Sequence, residues 1–210
     1  MDGSVDREQA FQFVKGFFET HDPIATQLAV RFPFRRRFQH CVRCAFWGRR
    51  IAMAEGADVE TVEISALFHD IGKGIASSSE QHGKVGARIC DQYLQSMGAD
   101  PSTRDFICGI ILRHSEHARD PISSLEEKVV SDADLLDETG AISILWDAMA
   151  CAGEDAPSYD KAYERSLRSR GNLAALPGRL HTATAKKILD HRLALIDSFL
   201  ENLADELGRS

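Results

Sequence analysis

Residues Ile64–Gly74 read "ISALFHDIGKG", and the adjacent His69 and Asp70 are the pair in this chain best suited to chemistry. A neutral imidazole beside a carboxylate suits borderline and hard divalent ions. Neighbouring positions on a helix diverge by about 100°, so one ion can be shared by both side chains only if other segments close its coordination sphere. The dipeptide alone decides little, because His21–Asp22 is a second copy. What matters is whether the elements around it bring further ligands.

The preceding helix is expected from about Phe38 to Glu55, where His40, Cys44, Trp47 and Ile51 fall on one stripe at i, i+4, i+7 and i+11. His40 therefore points inward. Gly56 ends that helix and Asp58 is an N-cap for the next. There Val59, Val62, Ala66 and His69 form the buried stripe, so His69 points inward too. Two inward histidines on consecutive helices, one with an Asp attached, favour a metal site over two separate core histidines.

After Gly74 a small, polar run reads as a loop that returns to helix near His82, with Gly83 and Gly86 making that return conformationally permissive. The helix through Ile89 and Leu94 stops at Gly98. Asp100 at N-cap and Pro101 at N1 then open another, whose Ile107–Ile111 stripe carries His114 one turn on. His117 is expected to be exposed. A turn around Pro121 leads to Ser124-x-x-Glu127, a capping box, and to the helix "LEEKVVSDADLLDETG", which Gly140 ends.

An amphipathic first helix carries Phe11, Val14, Phe17 and Phe18 as packing residues. A short helix is expected from Pro23, with a break at Pro33. Arg31, Arg35, Arg36 and Arg37 then stand just ahead of the His40 helix, where positive charge opposes the helix dipole unless a carboxylate or phosphate neutralises it; a solvated basic face is the preferred alternative. Near the C-terminus, helices are expected at Ile142–Ala150, Tyr159–Leu167 and Thr182–Leu207. The last presents Ile188, Leu195, Ile196, Phe199 and Leu203 as a docking face, against its own core or a second copy in a homodimer. With no sustained alternation and no internal repeat, the class is all-α.

The chain has 210 residues, 43% hydrophobic and 27% charged, as in an ordinary soluble globular protein, and it is read as one domain. No apolar run approaches the roughly 18–20 residues of a membrane span, and the N-terminus lacks signal-peptide character. A cytoplasmic location is the expectation. A net charge of −7 argues against coating a nucleic-acid duplex. The five cysteines, Cys41-x-x-Cys44 among them, read as reduced, buried structural thiols.

His40, then His69–Asp70, then a carboxylate in "SDADLLDETG" stand in the order that resembles the HD superfamily of metal-dependent phosphohydrolases. The pattern spans about residues 37–140. It implies a single-domain HD-type helical bundle with a C-terminal helical extension. Later stretches, "ILRHS" and "TATAKKILDHRLALIDSFL" among them, resemble the small bacterial HD hydrolases of the YedJ and YpgQ type. "HDIGK" and "HGKVGA" resemble the two-metal YqeK and HD-GYP branches, although the GYP motif is lacking.

The resemblance implies His40, His69, Asp70 and Asp134 as metal ligands. Helical periodicity puts Asp132, not Asp134, on the face of Leu125, Val129 and Leu136. The family's "AD-x-L" pattern maps onto Ala133–Asp134, and Asp134 is preferred for that reason, with Asp132 as its supporting neighbour. His82 and His114 match positions that hold a second ion in the two-metal branches; acid/base work in a one-metal site is the alternative. Lys73 resembles a phosphate-contacting lysine, and otherwise suits the helix dipole.

The expected cofactor is one or two divalent ions, Mn²⁺ or Fe²⁺ before Ni²⁺, Co²⁺, Zn²⁺ or Mg²⁺. The expected reaction is hydrolysis of a phosphomonoester or phosphoanhydride bond in a nucleotide-like small molecule. Two other classes stay open: a two-iron oxygenase acting on an organophosphonate or polyol, and a non-catalytic nucleotide-sensing module.

Overall fold

Helix limits follow the punctuation of the sequence. The structure, a computed structural model, describes residues 6–21, 34, 36–76, 81–114 and 124–209. Its helices are α1 (Arg7–His21), α2 (Arg37–Glu55), α3 (Val59–Phe68), α4 (His82–Ser96), α5 (Pro101–Arg113), α6 (Leu125–Leu136), α7 (Ala141–Ala152), α8 (Tyr159–Asn172) and α9 (Ala183–Glu206), with 3-10 turns at Ile71–Gly74 and Leu173–Gly178. The described residues contain no strand, so the protein is all-α. The expectations at Pro23, Pro33, Pro121, His117, Arg31 and Arg35 lie outside the described residues.

Capping explains most boundaries. Gly56 closes α2 at a φ of 79°, its N–H donating to the Ala52 carbonyl. Asp58 accepts from the Thr61 N–H at 2.8 Å and Asp100 from the Thr103 N–H at 3.1 Å, opening α3 and α5. At α6 the capping box is reciprocal: the Glu127 N–H donates to Ser124 Oγ and the Ser124 N–H to Glu127 Oε2, each at 3.1 Å.

Two compact units divide the chain, Met1–Asp134 and Leu135–Ser210. In the first, α3 is central, with α1, α2, α4 and α5 packed on it. Its expected single buried stripe is too narrow, because every residue from Val62 to Asp70 is buried. Glu63 and Ser65 are thereby taken inside, and Arg7 and Arg49 each reach Glu63 at 2.8 Å.

Glycines set how closely the chain passes the end of α3. A Cβ on Gly72 would sit 2.0 Å from the His82 carbonyl oxygen, and one on Gly83 would sit 2.8 Å from the Leu112 carbonyl oxygen. Gly83 and Gly86 lie inside α4, so their role is close approach and not the permissive backbone expected of them.

In the second unit α7, α8 and α9 pack in pairs. Asp147, buried on α7, accepts from Arg165 Nε at 3.1 Å and Ser169 Oγ at 3.0 Å. Arg192 of α9 donates to the Leu136 carbonyl and, at 2.8 Å, to Thr139 Oγ1, satisfying carbonyl and hydroxyl groups where α6 ends. The buried face of α9 is Ala185, Leu189, Ile196 and Leu200, while Leu195 and Phe199 are exposed. That face is rotated by about one residue from the expected one, which is about 100° on a helix.

Candidate metal centre

One local device positions two of the histidines. His69 follows the last residue of α3 and His114 the last residue of α5, both with helical backbone. There the terminal carbonyls lack intrahelical partners. His69 Nδ1 lies 2.7 Å from the Ala66 carbonyl and His114 Nδ1 lies 2.6 Å from that of Ile111, so each Nδ1–H donates to the residue three back. This selects the tautomer whose Nε2 carries a bare lone pair, the form that binds metal.

Both bare nitrogens face other donors. His69 Nε2 is 3.1 Å from His40 Nε2, and His114 Nε2 is 3.1 Å from His82 Nε2. Asp134 Oδ1 is 3.3 Å from His40 Nε2 and 3.7 Å from His69 Nε2. Bonds of roughly 2.1 Å at right or tetrahedral angles separate neighbouring donors on one ion by about 3.0–3.4 Å. The two histidine pairs and the Asp134–His40 spacing fall in that range, and the Asp134–His69 spacing is 0.3 Å beyond it.

Asp70 lies between the two groups. Its Oδ2 faces His40 at 3.5 Å and His69 at 3.7 Å, and its Oδ1 faces His114 at 3.4 Å and His82 at 3.6 Å. Arg37 Nη1 donates to Oδ2 at 2.8 Å. Lys73 Nζ is 2.8 Å from Oδ1 and 2.9 Å from Oδ2 but aligns as a donor only with Oδ2. Among the described residues, Oδ1 is therefore buried without a hydrogen bond. Burial raises the pKa of Asp70, but His69, His114, His40 and Lys73 outweigh it and hold the carboxyl well below the usual carboxylate range. A buried carboxylate oxygen among imidazole nitrogens is a donor set that a divalent cation would complete.

The structure thus brings together all seven residues singled out from sequence: His40, His69, Asp70, Lys73, His82, His114 and Asp134. Of the two candidate carboxylates, Asp134 approaches the histidines, while Asp132 is fully buried elsewhere on α6. Arg37 answers the charge argument made for the arginine cluster, because Asp70 is the carboxylate that neutralises it. Cys44, read as a buried structural thiol, is buried, and its Sγ lies 3.7 Å from His40 Nδ1 and 3.8 Å from Nε2. The donor atoms of His40, Cys44, His69 and Asp134 all lie within 4.8 Å of one another. The stripe shared by His40 and Cys44 was the available signal.

Residues 37–139 match the HD domain family, and this stretch of the chain is an HD domain. A protein of Bacillus subtilis, YpgQ, is 26% identical over 175 residues, which cover 81% of this chain and 83% of YpgQ. Its crystal structure superposes with a TM-score of 0.66 over 95% of this chain and 94% of that one at 24% identity, and YpgQ has also been solved in complex with ADP. An HD-superfamily hydrolase from Bacillus thuringiensis superposes with a TM-score of 0.69 over 97% of each chain at 22% identity. Ribonuclease Y of Cutibacterium acnes is 30% identical over 117 residues, 54% of this chain but 20% of that protein. The HD-domain match and the clustered histidines and carboxylates together mark a site that could hold a divalent metal. No described helix is long and apolar enough to cross a membrane.

Proposed function

We propose that this chain hydrolyses a phosphomonoester or phosphoanhydride bond of a nucleotide-like small molecule, using two divalent ions. His40, His69, Asp134 and Asp70 Oδ2 would hold one, and His82, His114 and Asp70 Oδ1 the other. The observation that carries this reading is the pair of tautomer-fixed imidazoles, His69 and His114, each aiming a bare Nε2 at another imidazole 3.1 Å away around one buried carboxylate. Mn²⁺ or Fe²⁺ suits this mixture of imidazole and carboxylate.

Such ions, when bound, polarise a phosphoryl oxygen and supply hydroxide near neutral pH. The chain's own residues do the rest. The carbonyls of Ala66 and Ile111 hold His69 and His114 in orientation. Lys73 and Arg37 sit at the partly exposed edge of the site, with side chains 33% and 20% accessible. From there they offset the charge of a phosphate group.

The ADP complex of YpgQ supports a nucleotide as substrate class. The test is metal content of protein purified without added metal, followed by release of phosphate or pyrophosphate from nucleoside mono-, di- and triphosphates with Mn²⁺ added. Turnover that His69→Ala abolishes is the expected result. Tight nucleotide binding without turnover in every metal would instead mark a sensing module, and iron with dioxygen consumption an oxygenase.

A further inference from the structure

Helices α4 and α5 run side by side in a fixed register. A Cβ on Gly83 would sit 2.8 Å from the Leu112 carbonyl oxygen, Cys108 Sγ is 3.3 Å from the Ala87 carbonyl, and Arg104 Nε is 3.4 Å from Asp91 Oδ1. Each step is four residues forward on α4 and four back on α5, so the helices are antiparallel. Cys90 is one turn beyond Ala87 on the same face. Helical side chains lean towards their own N-terminus, which tilts Cys90 to the level of Cys108 and Cys108 to the level of Cys90. The two thiols accordingly hydrogen-bond to one another. A disulfide requires α-carbons within about 7 Å, closer than most packed helices come. Gly83 and Gly86, both facing α5, permit that approach.

We propose that Cys90 and Cys108 are a redox-active pair that closes to a disulfide when a hydroperoxide reaches Cys108. Exposure divides the roles, since Cys90 is fully buried and Cys108 is half-buried. The hydrogen bond from the Cys90 thiol outweighs burial and nearby carboxylates and lowers the pKa of Cys108, whereas burial holds that of Cys90 well above the ordinary thiol value. The Cys108 thiolate attacks a peroxide oxygen, the O–O bond breaks, and the departing hydroxide takes up a proton to leave as water. Cys108 is then a sulfenic acid. The Cys90 sulfur gives up its proton and attacks the Cys108 sulfur, expelling hydroxide, which that proton converts to a second water. Two thiols lose two electrons and the peroxide gains them. The new bond ties together the helices whose adjoining ends carry His82 and His114.

The test adds an equimolar amount of hydrogen peroxide to the reduced, metal-free chain, counts free thiols after unfolding and maps the linked peptides. The wild-type protein loses two thiols, the peptides of Cys90 and Cys108 are joined, and a reductant restores both. Cys41→Ala behaves as the wild-type protein does. Cys108→Ser forms no cross-link, and Cys90→Ala stops at a Cys108 sulfenic acid that dimedone traps. The oxidised wild-type protein unfolds at a higher urea concentration than the reduced protein, because the cross-link constrains the unfolded chain. No loss of thiols in the folded protein, a linkage that involves any other cysteine, or dimedone on another cysteine in Cys90→Ala overturns the pair. A lower urea midpoint after oxidation overturns it too, since the bond would then form only by distorting the packing of α4 on α5.

Discussion

The two sides of Asp70 are built differently. On the Oδ2 side, two histidines, a cysteine and Asp134 converge from three helices, and Arg37 and Lys73 already occupy the carboxylate oxygen. On the Oδ1 side the facing imidazoles are His82 and His114, with the Lys73 ammonium 2.8 Å away, and among the described residues the oxygen has no aligned hydrogen bond. The first side has a carboxylate of its own and the second borrows one. A cation on the second side therefore depends on Asp70 far more than one on the first.

The largest effect that would sharpen this contrast is expected from Asp70→Ala. Metal content should fall on both sides, with kcat/KM down by at least about 10³-fold, the upper range for removing one preorganised electrostatic group. Two ions per chain retained in that variant would break the comparison. His82→Ala should remove one ion and leave the other, lowering kcat/KM by roughly 10²-fold, the low end for acid–base or ligand loss. Elemental analysis of the two variants side by side reads both outcomes.

The same carboxylate gives a pH signature in metal-free protein. Its folded pKa lies below the unfolded value of about 3.9, so the unfolded chain takes up the proton more readily. The stabilisation is complete above the unfolded value and is lost as pH falls below about 4 through the folded pKa. Thermal melting between pH 7 and 3 should show an acid limb that Asp70→Asn flattens.

Smaller effects come from the frame. Gly83→Ala pushes a methyl group at the Leu112 carbonyl and should destabilise by about 1–3 kcal/mol, the usual range for overpacking. Because Gly83 adjoins His82 and Leu112 is two residues from His114, affinity at the second position should weaken more than at the first, by metal titration. Ser124→Ala removes half of the α6 capping box and should lower stability by about 1 kcal/mol in urea melts, with metal content unchanged.

Helix ends were legible because each rests on a local rule, as at Gly56, Asp58, Asp100 and the Ser124–Glu127 box. The histidines were legible because their neighbours are periodic. Asp134 was not readable from periodicity, since α6 is buried through Val129, Val130, Ser131, Asp132 and Ala133 and no single face stands out. Only the motif pointed to it. The approach of Cys44 to His69 and Asp134 depends on helix packing that no spacing encodes. On α9, where several hydrophobic positions are adjacent, the buried face could be shifted by one residue without disturbing the pattern, and it was.

Gly72 illustrates how geometry and chemistry can be mistaken for one another. The backbone around His82 and Gly86 leaves no space for even a methyl group there. A saturation-mutagenesis map of this chain would score position 72 as intolerant as the histidines, although glycine offers an ion nothing. The distinguishing measurement would be recovery by a second substitution that loosens α4, a rescue that a lost ligand does not admit.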